Sequence, residues 1–331
     1  MTDGPEERAA SVALVFEYVD PSLLGMNLEA GDFPPLLQGC AGMLVACGVD
    51  TAKTRLVITG DFVRSVQDRG EPGSEYHENY NTQRNTGMVG GKTIPLPDST
   101  VDVLLQAVMF VPLNHAEDAA AVAGSALHTV VHEAQHVVIA QHGEASGELE
   151  ATPWARRNLL IAADQVIEEY RAELVACQVV GPSGWNTEDL VSSAKTWLGD
   201  LQRIATVEYQ SHLDVGRLAY DILQESHTVW KLLGYAAAEQ LEARDGLPTV
   251  VAEDELWTAM IEPHWEEFTL LLARVPGGDE RIPRAELESL ASDLADLFAD
   301  WLVTLGFEFT DHPEGAAFYI RDWTLLALEL D

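Results

Sequence analysis

The sequence predicts an α+β fold that is mostly helical, with an N-terminal mixed α/β lobe over residues 1–115 and a C-terminal helical lobe over residues 116–331. Three observations carry this. Before residue 115, short β-branched runs alternate with helical spacing and with Gly, Pro and Asn turns. After it, apolar residues recur at intervals of three and four almost without interruption. A chain of 331 residues that is 47% hydrophobic has ample material for a core in each lobe.

In chain order, Val12 to Tyr18 reads as a strand, Leu36 to Cys47 as a short helix and Arg55 to Thr59 as a second strand. A helix over Asp61 to Asp68 follows, then a polar loop over residues 69–86, rich in Gly, Asn, Glu and Tyr. Gly87 to Pro95 and Val101 to Val111 read as two further strands around a Pro-Asp-Ser turn, just before the helix that opens the second lobe. From there the spacing predicts helices over 117–142, 154–180, 187–205, 207–243, 252–274, 284–304 and 315–329. Pro and Gly clusters at 181–184, 246–248 and 276–278 mark joints between them.

Charge excludes some functions. The net charge is −35, and Lys53, Lys92, Lys195 and Lys231 are the only lysines. Phosphate backbones are repelled by such a surface, so no nucleic-acid partner is expected. The high charge speaks to solubility. The first thirty residues hold no continuous apolar run and no segment approaches a membrane span, so no membrane partner is expected. Cys40, Cys47 and Cys177 form no C-x-x-C pair and read as small apolar residues of a reduced, cytoplasmic protein.

Residues 132–136 read His-Glu-Ala-Gln-His inside the apolar run Thr129-Val130-Val131 and Val137-Val138-Ile139-Ala140. No Pro interrupts Glu117 to Gln141, and Gly143 offers a C-cap. On a helix, His132 and His136 project from one face. Buried polar groups need partners, and a divalent cation satisfies both imidazoles at once. Glu133 then stands beside the cation. The motif resembles the H-E-x-x-H of the zincin superfamily of zinc metallopeptidases, which implies one Zn²⁺ per chain, a peptide or protein substrate and Glu133 as general base.

A site of that kind takes a third protein ligand and leaves the fourth position to water. His142, ten residues after His132, matches the metzincin spacing, although Ile139 stands where that group has the Gly that lets the chain turn back. No Met-turn follows, since Met260 lies far downstream in a helical pattern. The alternative is the amphipathic run 163–176, in which Glu169 and Glu173 lie four apart. It resembles the second helix of the thermolysin-like, or gluzincin, site, whose pattern is Asn-Glu-x-x-Ser-Asp. The resemblance covers residues 125–177 and implies a zincin-like fold in which Glu169 is the third ligand and Glu173 supports the outer nitrogen of His132. Glu168 stands where that pattern has Asn, and Glu173 where it has the shorter Asp, so Glu168 remains an alternative to Glu169.

Further groups bear on this chemistry. His227 and Tyr220, seven apart on one helix, are candidates to stabilise an oxyanion, as are Tyr209 and His212. Arg171 either contacts substrate or pairs with neighbouring acids. His128, one turn before the motif, reads as a hydrogen-bonding group. The resemblance further implies a small sheet packed on the helix that carries the motif, with an edge strand lining the cleft, so that Met88 to Thr93 would hold an extended peptide by strand addition; the alternative is a plain hairpin with a glycine bulge. Two rival readings stand beside the peptidase: a catalytically inactive, metal-binding zincin-like interaction protein, and a di-iron helical protein using Glu133-Ala-Gln-His136. The second would need another E-x-x-H, which the sequence lacks.

Overall fold

Two strands with almost no polar positions facing out anchor the first half of the chain. β2 and β6 below are buried nearly throughout, as expected of central strands covered on both faces. The computed structural model describes residues 11–27, 31–71, 75–78, 80–84, 87–112, 115–144, 152–182, 187–243, 251 and 253–328. Its contacts divide into two units. The first comprises Met1–Thr82, Val89–His142 and Val179–Gly181; the second comprises Gln83–Met88, Gly143–Gln178 and Pro182–Asp331.

In the first unit, β1 (Ala13–Glu17), α1 (Pro35–Ala46), β2 (Thr54–Thr59), α2 (Phe62–Gln67) and α3 (Glu75–Glu78) come first. The short antiparallel pair β3 (Gln83–Arg84) and β4 (Gly87–Met88) groups with the second unit. β5 (Gly91–Pro95) and β6 (Val101–Gln106) then complete a four-stranded sheet of order β1-β2-β6-β5. β1, β2 and β6 run parallel and β5 is an antiparallel edge. Val57, Phe62, Val66, Tyr80 and Leu104 form one apolar cluster on the sheet. The 27-residue helix α4 (Ala116–His142) packs on β5, β6 and α1. It therefore belongs with the sheet, on the other side of the boundary that the sequence placed at residue 115, because its buried valines have the sheet to cover.

One charge cluster ties this unit together. Asp102, fully buried on β6, is in register with Arg55 of β2 and accepts from its Nε at 2.6 Å and Nη2 at 2.8 Å. Arg69 donates to the same carboxylate at 2.8 Å and to Glu17 of β1 at 2.8 and 3.0 Å. Three strands and the end of α2 thus share two guanidinium groups and two carboxylates.

The second unit holds α5 (Trp154–Val179), α6 (Thr187–Gln202), a π-helical stretch over Arg203–Glu208, α7 (Tyr209–His212), α8 (Val215–Ala243), α9 (Glu255–Met260), α10 (Glu262–Leu272) and α11 (Arg284–Thr304). Its core stacks large rings: Trp230 lies 3.9 Å from Phe298 at an interplanar angle of 4°, and the Trp301 indole N–H donates to the Met260 carbonyl at 2.6 Å. Asp311 caps α5, accepting from the Ala155 and Arg156 amides at 2.9 Å each, where a carboxylate meets the positive end of the helix dipole. No described helix is long and apolar enough to cross a membrane.

The coarse class, mixed α+β and mostly helical with a small sheet, matches the sequence expectation. Three predicted helices are corrected. The helix expected over 207–243 is broken at Leu213, whose φ of 56° no helix interior accommodates, and restarts with Asp214 accepting from the Arg217 amide. The helix expected over 252–274 breaks at Ile261, because Pro263 has no amide to continue the ladder and fits only the first turn of α10. The helix expected over 315–329 is instead strand β8 (Gly315–Ile320), paired antiparallel with β7 (Phe307–His312), with a short 3₁₀ turn at Leu325–Ala327. Phe309 and Phe318 pack at 4.8 Å across this hairpin, an alternation that helical spacing hid.

Removal of the shared carboxylate in Asp102→Ala is expected to cost about 3–5 kcal/mol in denaturant unfolding, since two guanidinium groups lose their buried partner. A second outcome concerns pH. Burial, aided by the Asp200 carboxylate and opposed by Arg203, pushes the Glu225 carboxyl from 4.5 up to about 7. Its contribution to stability is complete below pH 4.5 and is lost as pH rises through about 7. Glu225→Gln is therefore expected to raise the unfolding midpoint at pH 8, by up to about 3 kcal/mol, with little change at pH 4.5.

Candidate metal centre

α4 is apolar where it meets its unit: Val130, Val131, Ala134, Val137, Val138 and Ile139 are all buried. Among them His132 and His136 are half-buried and one helical turn apart. Their Nε2 atoms share a hydrogen bond of 3.2 Å, with the rings edge to face at 5.0 Å. Two imidazole nitrogens bound to one tetrahedral zinc at about 2.0–2.1 Å would lie about 3.3 Å apart. The separation of the two nitrogens is close to that spacing.

Glu133 is 8% exposed and lies against the start of the edge strand. A Cβ on Gly91 would sit 2.7 Å from Thr129 Cγ2, 2.9 Å from Glu133 Cγ and 3.2 Å from Glu133 Oε1. Only glycine lets β5 run this close to the carboxylate. Thr93 Oγ1 donates to the Glu133 carbonyl at 2.9 Å and fixes strand to helix at the same point.

The continuity of α4 decides against His142. Ile139 is buried within an unbroken helix, so the chain does not turn back after His136. His142 lies six residues further, about 9 Å along the axis, beyond reach of an ion held by His132 and His136. His128, one turn before the motif, shares a hydrogen bond of 2.9 Å between Nδ1 and the Gly181 carbonyl.

On α5, Glu168 and Glu169 face different surroundings. Glu168 lies close enough to Asp164 to help burial, the larger cause, push that carboxyl up to about 6, in a group that includes Arg284 and Glu288. Glu169 accepts from Tyr235 Oη at 2.7 Å through Oε2 and pairs with Lys231 Nζ at 3.3 Å through Oε1. Glu173, 4% exposed, lies with Oε1 3.7 Å from the Cys177 thiol, which donates to it one turn on.

Arg171 is a clamp. Fully buried, it pairs with Glu144 at 2.6 Å and donates to the carbonyls of Pro276 at 3.1 Å and Glu280 at 2.6 Å. The other Glu144 oxygen accepts from the Ile282 amide, so the 276–282 loop is tied to α5, and the buried Arg171 side chain is engaged by this loop and by Glu144.

The oxyanion candidates separate. Tyr220 is 42% exposed near the start of α8. Tyr209 and His212 pack on each other, and His212 Nδ1 accepts from the Asp214 amide, making them parts of the turn before α8. His227 is different: burial first and the Lys231 charge second hold its imidazole down to about 4, against the pull of Glu169, so it is neutral at pH 7. Its buried Nε2 has no hydrogen-bond partner among the described residues. Lys231 and Tyr235 escaped the sequence reading. The signal was present in the four-residue spacing of His227, Lys231 and Tyr235, which makes one stripe along α8.

Gly91→Ala is expected to cost about 1–3 kcal/mol and lower the thermal midpoint, because the added methyl overlaps Thr129 and Glu133. An unchanged midpoint would contradict the close approach of β5 to α4.

Comparisons of the chain with protein-family models, with curated proteins and with solved structures find no match.

Proposed function

We propose that this chain is a zinc-dependent metallopeptidase of zincin-like architecture, holding one zinc through His132, His136 and Glu169 and using Glu133 as general base. The observation that carries the reading is the approach of the two Nε2 atoms to 3.2 Å on a helix whose intervening Glu133 is buried beside an edge strand. The choice of Glu169 rests on its gluzincin-like spacing. It accepts from Tyr235 and pairs with Lys231, and an ionised carboxylate offers about four lone-pair directions. Glu168, grouped with Asp164, Arg284 and Glu288, is the weaker choice. Glu173 is proposed to accept from the outer nitrogen of His132 and so set its tautomer.

Zinc, when bound, supplies a Lewis acid and a water acidified to near neutrality. Glu133 takes a proton from the attacking water and delivers it to the leaving amine. β5 has no strand on its outer side among the described residues, and its backbone is suited to pair with an extended peptide. Gly90 and Gly91 would bring that peptide close to Glu133. His227, neutral at pH 7, is proposed to donate a hydrogen bond to charge developing on the carbonyl oxygen. Tyr220 is the lesser candidate because it is exposed.

Glu133→Gln tests the reading. The variant is expected to keep one zinc per chain while cleavage of a mixed peptide library falls at least about 100-fold. His132→Ala is expected to lose the metal. Undiminished cleavage by Glu133→Gln, or full zinc content in His132→Ala, would overturn it. A wild-type chain that binds zinc and cleaves nothing would favour the interaction-protein reading.

A further inference from the structure

Glu169 is held from two sides by one stripe of α8. Tyr235 donates its phenol to Oε2 at 2.7 Å, and Lys231, one turn earlier, places its ammonium 3.3 Å from Oε1. α5 and α8 are in direct contact here: a Cβ on Gly234 would meet Val166 Cγ1 at 3.5 Å. The Glu169 and Lys231 side chains are only 17% and 26% exposed, so solvent screens the pair incompletely. Lys231 is one of four lysines in a chain of net charge −35, and it sits on this carboxylate in preference to an open acidic surface.

A carboxylate ligand needs a fixed orientation and a charge that is not already neutralised. Tyr235 meets the first need, because a phenol donor on Oε2 restrains the carboxylate from that side. Lys231 works against the second, since a monovalent cation on Oε1 repels a divalent one approaching the same oxygen.

We propose that Tyr235 and Lys231 are the positioning pair of Glu169: Tyr235 orients the carboxylate for metal, and Lys231 is a resident counter-cation with which the metal must compete. The two residues then act on metal affinity with opposite signs, which a merely structural role for either would not produce. This inference rests on Glu169 being the third ligand.

The test is a zinc titration of the full chain, stripped with chelator, against a chromophoric competitor. Lys231→Met is expected to bind zinc about ten-fold more tightly than wild type, and Lys231→Arg, which keeps the charge, to match wild type. Tyr235→Phe is expected to bind about ten-fold more weakly, in the range seen when a group supporting a metal ligand is removed. Circular dichroism checks that each variant is folded, and Lys231→Gln serves as the second neutral variant should Lys231→Met fail to fold. Unchanged or weaker zinc affinity in the neutral Lys231 variants, or unchanged affinity in Tyr235→Phe, overturns the proposal. Glu169→Ala separates the two levels: if it binds zinc as wild type does, the ligand assignment fails and this inference with it. If it loses zinc while the Lys231 and Tyr235 variants do not shift, the inference alone fails.

Discussion

The close approach of β5 to α4 is the constraint on which the candidate centre depends. α4 is long and apolar, and nothing within it would keep a glutamate buried beside two imidazoles. The strand does so from outside. Gly91 brings backbone to within a methyl group of Thr129 and Glu133, and Thr93 fastens the strand to the Glu133 carbonyl. β5 is in turn held by its antiparallel pairing with β6, which carries the Asp102 carboxylate shared by Arg55 and Arg69. The strand that covers Glu133 thus pairs with the strand that carries the buried charge cluster.

The second unit meets a different demand, the placement of charge in a very acidic chain. Where cations are scarce, each is used in a defined way. Arg171 donates to Glu144 and to three loop carbonyls, those of Pro276, Gly277 and Glu280. Lys231 sits on Glu169 and also helps to keep His227 neutral. At Asp164 and Glu225, burial outweighs the pull of Arg284 and Arg203 and raises the carboxyl groups, at some cost in stability. A surface count of charge would distinguish none of these cases.

Much of the fold was legible in local pattern. α1, α4, α5 and α11 lie within a residue or two of the spans that apolar spacing predicts, and β1, β2 and β6 begin where β-branched runs begin. The misreadings share a cause. Leu213, Ile261 and the β7–β8 hairpin interrupt stretches whose composition still suits a helix, and the interruption is set by a capping residue, a proline or a cross-strand ring pair. α4 looks in sequence like the first member of a helical series, while its packing on β5, β6 and α1 groups it with the sheet.

The five residues from His132 to His136 by themselves determined which groups share a helical face, because 3.6 residues per turn leave no freedom in that respect. They also supply two nitrogen donors and a carboxylate on adjoining positions of that helix. Tertiary structure decided what spacing cannot express. It set the 3.2 Å between the two Nε2 atoms, the burial of Glu133 under Gly91, the loss of His142 to an unbroken helix and the engagement of Glu169 by Lys231 and Tyr235. Each of these depends on rotamers and on contacts between distant segments, or on where a helix actually ends. Helical periodicity specifies direction around an axis and says nothing of what lies opposite.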